Sequence, residues 1–207
     1  KQYIATYVLQ DVVDAYPRTD FVKWQDFMNL LFSYPSQILP LATIAKTLNI
    51  HHYSAQHYLK IAMTAQLCQE IPIYSKSSKR RLIKSPKYIM VDSALCGSLN
   101  PDIDKGYLFE NIIVSQILNI LKARLISYQP YYWRTADGAE IDLILKGDFG
   151  IVPLEIKMTN EVTARMIRKM KSFMELHPEI ERGAIFYNGS LVHVVENITI
   201  FPVSVLF

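Results

Sequence analysis

Asp142 and Glu155 lie thirteen positions apart, and Lys157 follows two residues after the second acid. The segment between them is apolar except around Gly147-Asp148-Phe149-Gly150, which reads as a hairpin loop. If that loop is centred between Asp148 and Phe149, partners across the antiparallel pair have residue numbers adding to 297. Asp142 then faces Glu155, and Glu140 faces Lys157. Directly opposed residues project to the same face of a sheet, so these four side chains are expected to form one polar cluster. Ile141, Leu143, Leu145, Val152, Leu154 and Ile156 are left on the apolar opposite face.

Opposed carboxylates need compensation, because two unit charges about 4 Å apart repel by about 4 kcal/mol at an effective dielectric near 20. Lys157 and a bound divalent cation are the candidates, and a hard ion such as Mg²⁺ or Mn²⁺ takes oxygen ligands of this kind. A metal on two carboxylates beside an ammonium suits hydrolysis of a phosphodiester. The ion lowers the pKa of water and clamps a phosphate oxygen, while the lysine orients the nucleophile or stabilises developing negative charge. Glu110 is a third acid of interest. It precedes Ile113 and Val114 by three and four residues and so lies at the edge of an apolar helical stripe or within it. A carboxylate there is paired, hydrogen-bonded or metal-bound if it points inward, or swings to water if it does not.

Several elements must hold these groups. Periodicity predicts a helix over about residues 102–124, capped by Asp102 or Asp104, then strands over 125–134, 139–146 and 151–158, and a helix over 160–176. Lys169 and Lys171 on the last helix could face a phosphate but read better as solvated, Arg134 and Asp137 read as turn residues, and Tyr131, Tyr132 and Trp133 read as core or edge aromatics ahead of base-stacking ones.

The first hundred residues read differently. Phe21, Trp24, Phe27, Met28, Leu31 and Phe32 recur at helical spacing behind Asp20, and two further helices are predicted over about 41–48 and 53–66. Helix, tight turn, longer helix is the helix-turn-helix order, and here it would present His52, Tyr53, Ser54, Gln56, His57 and Lys60. Two alternating segments, LCQEIPIYS and RRLIKSPKYIMVD, read as strands around SKSSK. The span from Ser75 to Lys87 carries Lys76, Lys79, Arg80, Arg81, Lys84 and Lys87 and no acid, a basic wing able to contact DNA phosphates in a salt-dependent way. The same charge could instead protect a hairpin edge or dock a protein. No cysteine or carboxylate pattern completes a zinc site with His51, His52 and His57.

The charge distribution supports two units: residues 1–100 hold 11 basic and 6 acidic side chains, residues 101–207 hold 11 and 13, and the 207-residue chain is +3 overall. A composition of 50% apolar and 20% charged residues excludes a mainly disordered chain. Two cysteines, Cys68 and Cys96, are too few for a disulfide framework, so a cytoplasmic setting is expected. The densest apolar stretch, around 109–126, is interrupted by Glu110, Gln116 and Lys122, which argues against a membrane span. No P-loop occurs, and the opening at Lys1 without a methionine suggests a fragment of something longer.

The order of Glu110 on a helix, Asp142, Glu155-Ile156-Lys157 and a following helix resembles the PD-(D/E)xK phosphodiesterase superfamily, with its αβββαβ core. The combined series YIATYVLQDV, KSPKYIMVDSAL, GYLFEN, YYWRTADGAEIDLIL and PLEIK resembles the C-terminal domain of unknown function that follows the P-loop domain in prokaryotic AAA+ ATPases. The resemblance implies an α/β chain, α+β overall: a winged helix over residues 1–100 and a restriction-endonuclease-like domain over 101–207. It implies Glu110, Asp142, Glu155 and Lys157 as catalytic residues, the three acids as ligands of Mg²⁺ or Mn²⁺, and ATP only through an upstream domain of the same polypeptide. Ile141 stands where the motif's proline is often found. The alternative is an inactive DNA-binding or protein-docking module that regulates the ATPase.

Overall fold

The computed structural model describes residues 16, 19–75 and 85–207. Lys76, Lys79, Arg80, Arg81 and Lys84 of the basic wing, and the opening segment YIATYVLQDV, lie outside the described residues. The chain is a mixed α+β protein that divides into two compact units, Lys1–Glu70 with Tyr88–Leu108, and Ile71–Lys87 with Phe109–Phe207. Among the described residues no helix is long and apolar enough to cross a membrane.

In the first unit, α1 (Phe21–Leu31) begins where Asp20 accepts a hydrogen bond from the Lys23 amide at 3.1 Å. A short strand β1 (Gln37–Ile38), helices α2 (Leu41–Thr47) and α3 (His52–Thr64), strands β2 (Cys68–Ile71) and β3 (Lys87–Met90), and α4 (Ser93–Leu99) follow. The strands form one sheet in the order β1-β3-β2. Trp24, Phe27 and Leu31 of α1 are fully buried with Ala55 and Ala62 of α3, and Tyr58 meets Trp24 and Phe27 edge-on with ring centres 5.9 and 5.6 Å away. Burying a side chain of this size is worth about 1.5–3 kcal/mol, which is what allows helices this short to persist. His52, Tyr53, Gln56, His57 and Lys60 are exposed along α3. Cys68 and Cys96 are free and buried; desolvation, reinforced by Glu70 and Asp92 respectively, pushes each thiol up to about 12.

The second unit is built on a six-stranded sheet, order β4-β5-β6-β7-β9-β8. Its elements run α5 (Lys105–Ala123), β4 (Tyr128–Arg134), β5 (Glu140–Gly147), β6 (Gly150–Lys157), α6 (Ala164–Leu176), β7 (Gly183–Tyr187), β8 (His193–Val195) and β9 (Ile198–Pro202), closing with a 3₁₀ turn over Val203–Leu206. Strands β4, β5 and β6 are antiparallel neighbours, whereas β6–β7 and β7–β9 are parallel. The β6-α6-β7 crossover buries Met170, Phe173 and Met174 against Ile141, Ile144 and Ile185.

One segment departs from the sequence reading. The run LCQEIPIYS was expected as a single strand of the basic hairpin, but β2 ends at Ile71, before Pro72. Proline lacks the N–H that a central ladder requires. The next residues pair elsewhere: Tyr132 donates its amide to the Pro72 carbonyl at 3.0 Å, Tyr74 donates to the Tyr132 carbonyl, and Ile73 bridges Tyr132 in parallel. This short pairing satisfies the backbone of Tyr132 on the edge strand β4.

The β5–β6 hairpin has the expected register. Gly147↔Gly150, Lys146↔Ile151, Leu145↔Val152, Ile144↔Pro153 and Leu143↔Leu154 are paired. Gly150 has φ +91° at the turn, which favours glycine. A Cβ on Gly147 would collide with the Ser127 carbonyl oxygen.

Candidate functional site

The ladder between β5 and β6 ends at Leu143↔Leu154. Beyond it the Asp142 carboxylate takes over the role of a backbone acceptor, receiving the Ile156 amide at 2.8 Å through Oδ2. Alternation along the strands puts Glu155 on the same side, and Lys157 reaches both acids, 3.1 Å from Asp142 Oδ2 and 2.9 Å from Glu155 Oε1. Asp142 and Glu155 are buried, at 4% and 1% exposure, while the Lys157 side chain remains 40% exposed.

Glu155 has a second cation. Lys169 of α6 donates to the same Oε1 at 2.6 Å. Its reading as a solvated lysine is therefore corrected, whereas Lys171 pairs with the exposed Glu196 at 2.6 Å. The signal for Lys169 was its place next to Met170 and one turn before Phe173, at the margin of the buried stripe of α6. The other oxygen, Glu155 Oε2, is buried with no hydrogen-bond partner among the described residues. Burial raises the Glu155 pKa, Asp142 raises it further, and Lys157 and Lys169 oppose both.

Glu110 projects from the first half of α5 and is buried at 7% exposure. Asp104 starts that helix by accepting from the Gly106 and Tyr107 amides at 2.8 and 3.2 Å. Carboxylate oxygens of Glu110, Glu140 and Asp142 all lie within 4.8 Å of one another. Lys87 sits among them, 2.8 Å from Glu110 Oε1 and 2.6 Å from Glu140 Oε1.

Two expectations are corrected here. Glu140 was expected to face Lys157 but pairs with Lys87, because Lys157 is drawn to the two more deeply buried acids. Lys87 was counted with the DNA-contacting cations, yet it is 3% exposed and its ammonium lies 5.6 Å from the Tyr132 ring centre. Desolvation works to lower its pKa, but Glu110, Asp142 and Glu140 together outweigh that and raise it. Lys157 is governed in the same way, with burial lowering its pKa and Asp142 and Glu155 raising it to a net increase. The only hint of Lys87's place in the sequence is that it opens the apolar strand Lys87–Met90. Arg134 makes a long contact of 3.9 Å to Glu140.

The donor set for a cation is thus all oxygen, and one buried carboxylate oxygen is uncommitted. Asp142 and Glu155 fit a hard divalent ion on both counts. Glu110 and Glu140 fit less well, since an ammonium already spans them.

Residues 105–206 match the domain of unknown function DUF4143, a domain found C-terminal to AAA ATPase domains. An uncharacterized protein of Mycobacterium bovis and one of Mycobacterium tuberculosis are each 26% identical to the chain over 199 residues, 90% of this chain but 43% of theirs. The chain therefore spans less than half the length of these curated relatives. A crystal structure of protein VC1899 from Vibrio cholerae aligns over 88% of this chain and 47% of that one, at 11% identity and a TM-score of 0.33. A second family model covers residues 1–105, just over half of the 207 residues, and the chain accordingly belongs to the family of that domain of unknown function, DUF8612.

Proposed function

We propose that this chain is the C-terminal region of an AAA ATPase. In this reading residues 1–100 form a winged helix that contacts nucleic acid, and residues 101–207 a restriction-endonuclease-like domain that hydrolyses phosphodiesters with Mg²⁺ or Mn²⁺. The observation that carries this reading is the buried, uncommitted Oε2 of Glu155 beside Asp142, both joined to Lys157. The order α5, three antiparallel strands, α6 and a parallel strand supports it, as does the exposure of His52, Tyr53, Gln56, His57 and Lys60 on α3.

Asp142 and Glu155 would hold the ion. When bound, it would supply Lewis-acid activation of water and of a phosphate oxygen. Asp142 is held in orientation by the Ile156 amide. Lys157, being partly exposed, can move from its carboxylates to a phosphate oxygen and stabilise the charge that develops there. Lys169 remains to balance Glu155 when Lys157 turns away. Plasmid DNA incubated with the full chain and Mg²⁺ or Mn²⁺ is the test. Cleavage should be lost in Glu155→Ala and Lys157→Ala, and cleavage that persists in both removes the catalytic assignment.

One observation favours a second reading, a module that binds DNA or restrains the ATPase without turnover. Lys87, Lys157 and Lys169 already neutralise most of the charge of the four acids. This reading expects salt-sensitive DNA binding with no cleavage, and no thermal stabilisation by divalent ions.

A further inference from the structure

We propose that the Lys87 ammonium is a built-in cation that keeps Glu110 and Glu140 from binding metal. The cluster then accepts one divalent ion, at Asp142 and Glu155, and gains a second only when the Lys87 ammonium is removed by substitution. Placing the first ion rests on the function proposed above, but the role of Lys87 does not.

Oxygens of Glu110, Glu140 and Asp142 that all lie within 4.8 Å of one another can share one central cation, since oxygen ligands stand about 2.0–2.6 Å from Mg²⁺ or Ca²⁺. Lys87 Nζ fills that role at 2.8 and 2.6 Å from two of the three acids. It is not a surface group that happens to swing inward. The side chain is 3% exposed and faces the Tyr132 ring, and the Tyr132 hydroxyl is itself fixed by donating to the Ser85 carbonyl at 2.6 Å. Lys157 and Lys169, by contrast, are 40% and 31% exposed and can yield to an incoming ion.

Charge points the same way. Glu110, Glu140, Asp142 and Glu155 carry four negative charges, and Lys87, Lys157 and Lys169 carry three positive ones. One divalent ion at Asp142 and Glu155 turns the small negative excess into a small positive one. A second beside a buried ammonium would leave several cations out of water without partners. Lys87 thus sets how many ions the cluster holds.

The experiment counts Mn²⁺ bound per full chain, by calorimetric titration and by electron paramagnetic resonance of free Mn²⁺. The wild type should bind one, Lys87→Met two, Lys87→Arg one, and Lys87→Met combined with Glu140→Gln one again. Equal counts in wild type and Lys87→Met overturn the proposal. A count of none in wild type and one in Lys87→Met upholds it, while removing the Asp142–Glu155 metal site. If Lys87→Met unfolds in metal-free buffer, it is refolded with Mn²⁺ and its melting read by circular dichroism. A larger Mn²⁺-dependent rise in Tm than the wild type shows supports the proposal, and no rise refutes it.

Discussion

Two pairs of acids stand a few ångströms apart in the second unit and are treated in opposite ways. Glu110 and Glu140 are spanned by one ammonium, that of Lys87, which is sealed at 3% exposure. Asp142 and Glu155 are spanned by Lys157, which is 40% exposed, and Glu155 keeps one buried oxygen with no hydrogen-bond partner among the described residues. The first pair resembles a closed structural ion cluster, the second a site whose cation can be exchanged. Carboxylate number alone does not separate a binding site from a scaffold. What separates them is whether the counter-charge can leave.

That contrast is broken most directly at Lys87. Removing one member of a buried ion cluster leaves uncompensated charge and costs about 3–5 kcal/mol. Lys87→Met should therefore lower stability by that order in metal-free urea unfolding, with Lys87→Arg recovering part of it. A change near zero would mean that the two pairs of acids do not differ as described.

A smaller loss is expected at the hairpin turn, remote from both pairs. Gly150 adopts φ +91°, and no described residue lies within 4 Å of an added Cβ. Gly150→Ala should thus cost only the backbone term, roughly 1–2 kcal/mol. Mn²⁺ binding should be unchanged, because five cross-strand pairs from Gly147↔Gly150 to Leu143↔Leu154 hold the register. A shifted Mn²⁺ affinity in this variant would show that the turn, not the ladder, positions the acids.

These expectations also mark what was legible in the sequence. The hairpin register could be read because a four-residue loop with two glycines leaves one symmetric pairing, and the period of two then assigns every side chain to a face. The helix ends were readable from Asp20 and Asp104. Glu110 was readable only as a choice, since spacing places it at a stripe edge without naming its partner. Lys87 was hidden by its neighbours. Five cations precede it without an acid, and its carboxylates are 23 and 53 positions away. Pro72 was a stop signal inside an alternating run, and its consequence, pairing of Ile73 with Tyr132, depends on a strand sixty residues downstream. The buried strand Gly183–Tyr187 lacks alternation because both its faces are covered, so period-two reasoning does not find it.

The pH dependence sharpens the contrast further, with opposite signs for the two kinds of group. Glu155 has a raised pKa, caused first by burial and then by Asp142. The folded state therefore holds its proton more tightly than the unfolded state, whose carboxyl titrates at about 4.3. From that pH up through the folded value, stability should fall as pH rises, by at most about 1.4 kcal/mol per pH unit for one proton. Glu155→Gln should flatten this slope. Lys87 is also raised, but it is a cation. Its contribution is complete below about 10.4 and is lost as pH climbs through the folded value. Urea unfolding between pH 4 and 11 on wild type, Glu155→Gln and Lys87→Met separates the two limbs; a Glu155→Gln curve that overlies wild type at the acid end rules out the Glu155 assignment.

The smallest stability effect is expected at Lys157. Its ammonium touches two buried acids, yet 40% of the side chain is in water. Solvent screening holds the net worth of such an exposed cation to about 1 kcal/mol or less. Lys169 remains at 2.6 Å to balance Glu155, and the Ile156 amide still supports Asp142. Lys157→Met should accordingly unfold within about 1 kcal/mol of wild type, and Mn²⁺ should bind at least as tightly because one competing cation is gone. DNA cleavage, where it occurs, should nevertheless disappear. Near-native unfolding, retained metal and lost cleavage identify a lysine that acts on the substrate. A loss of several kcal/mol would instead place Lys157 in the same structural role as Lys87 and erase the difference between the two pairs.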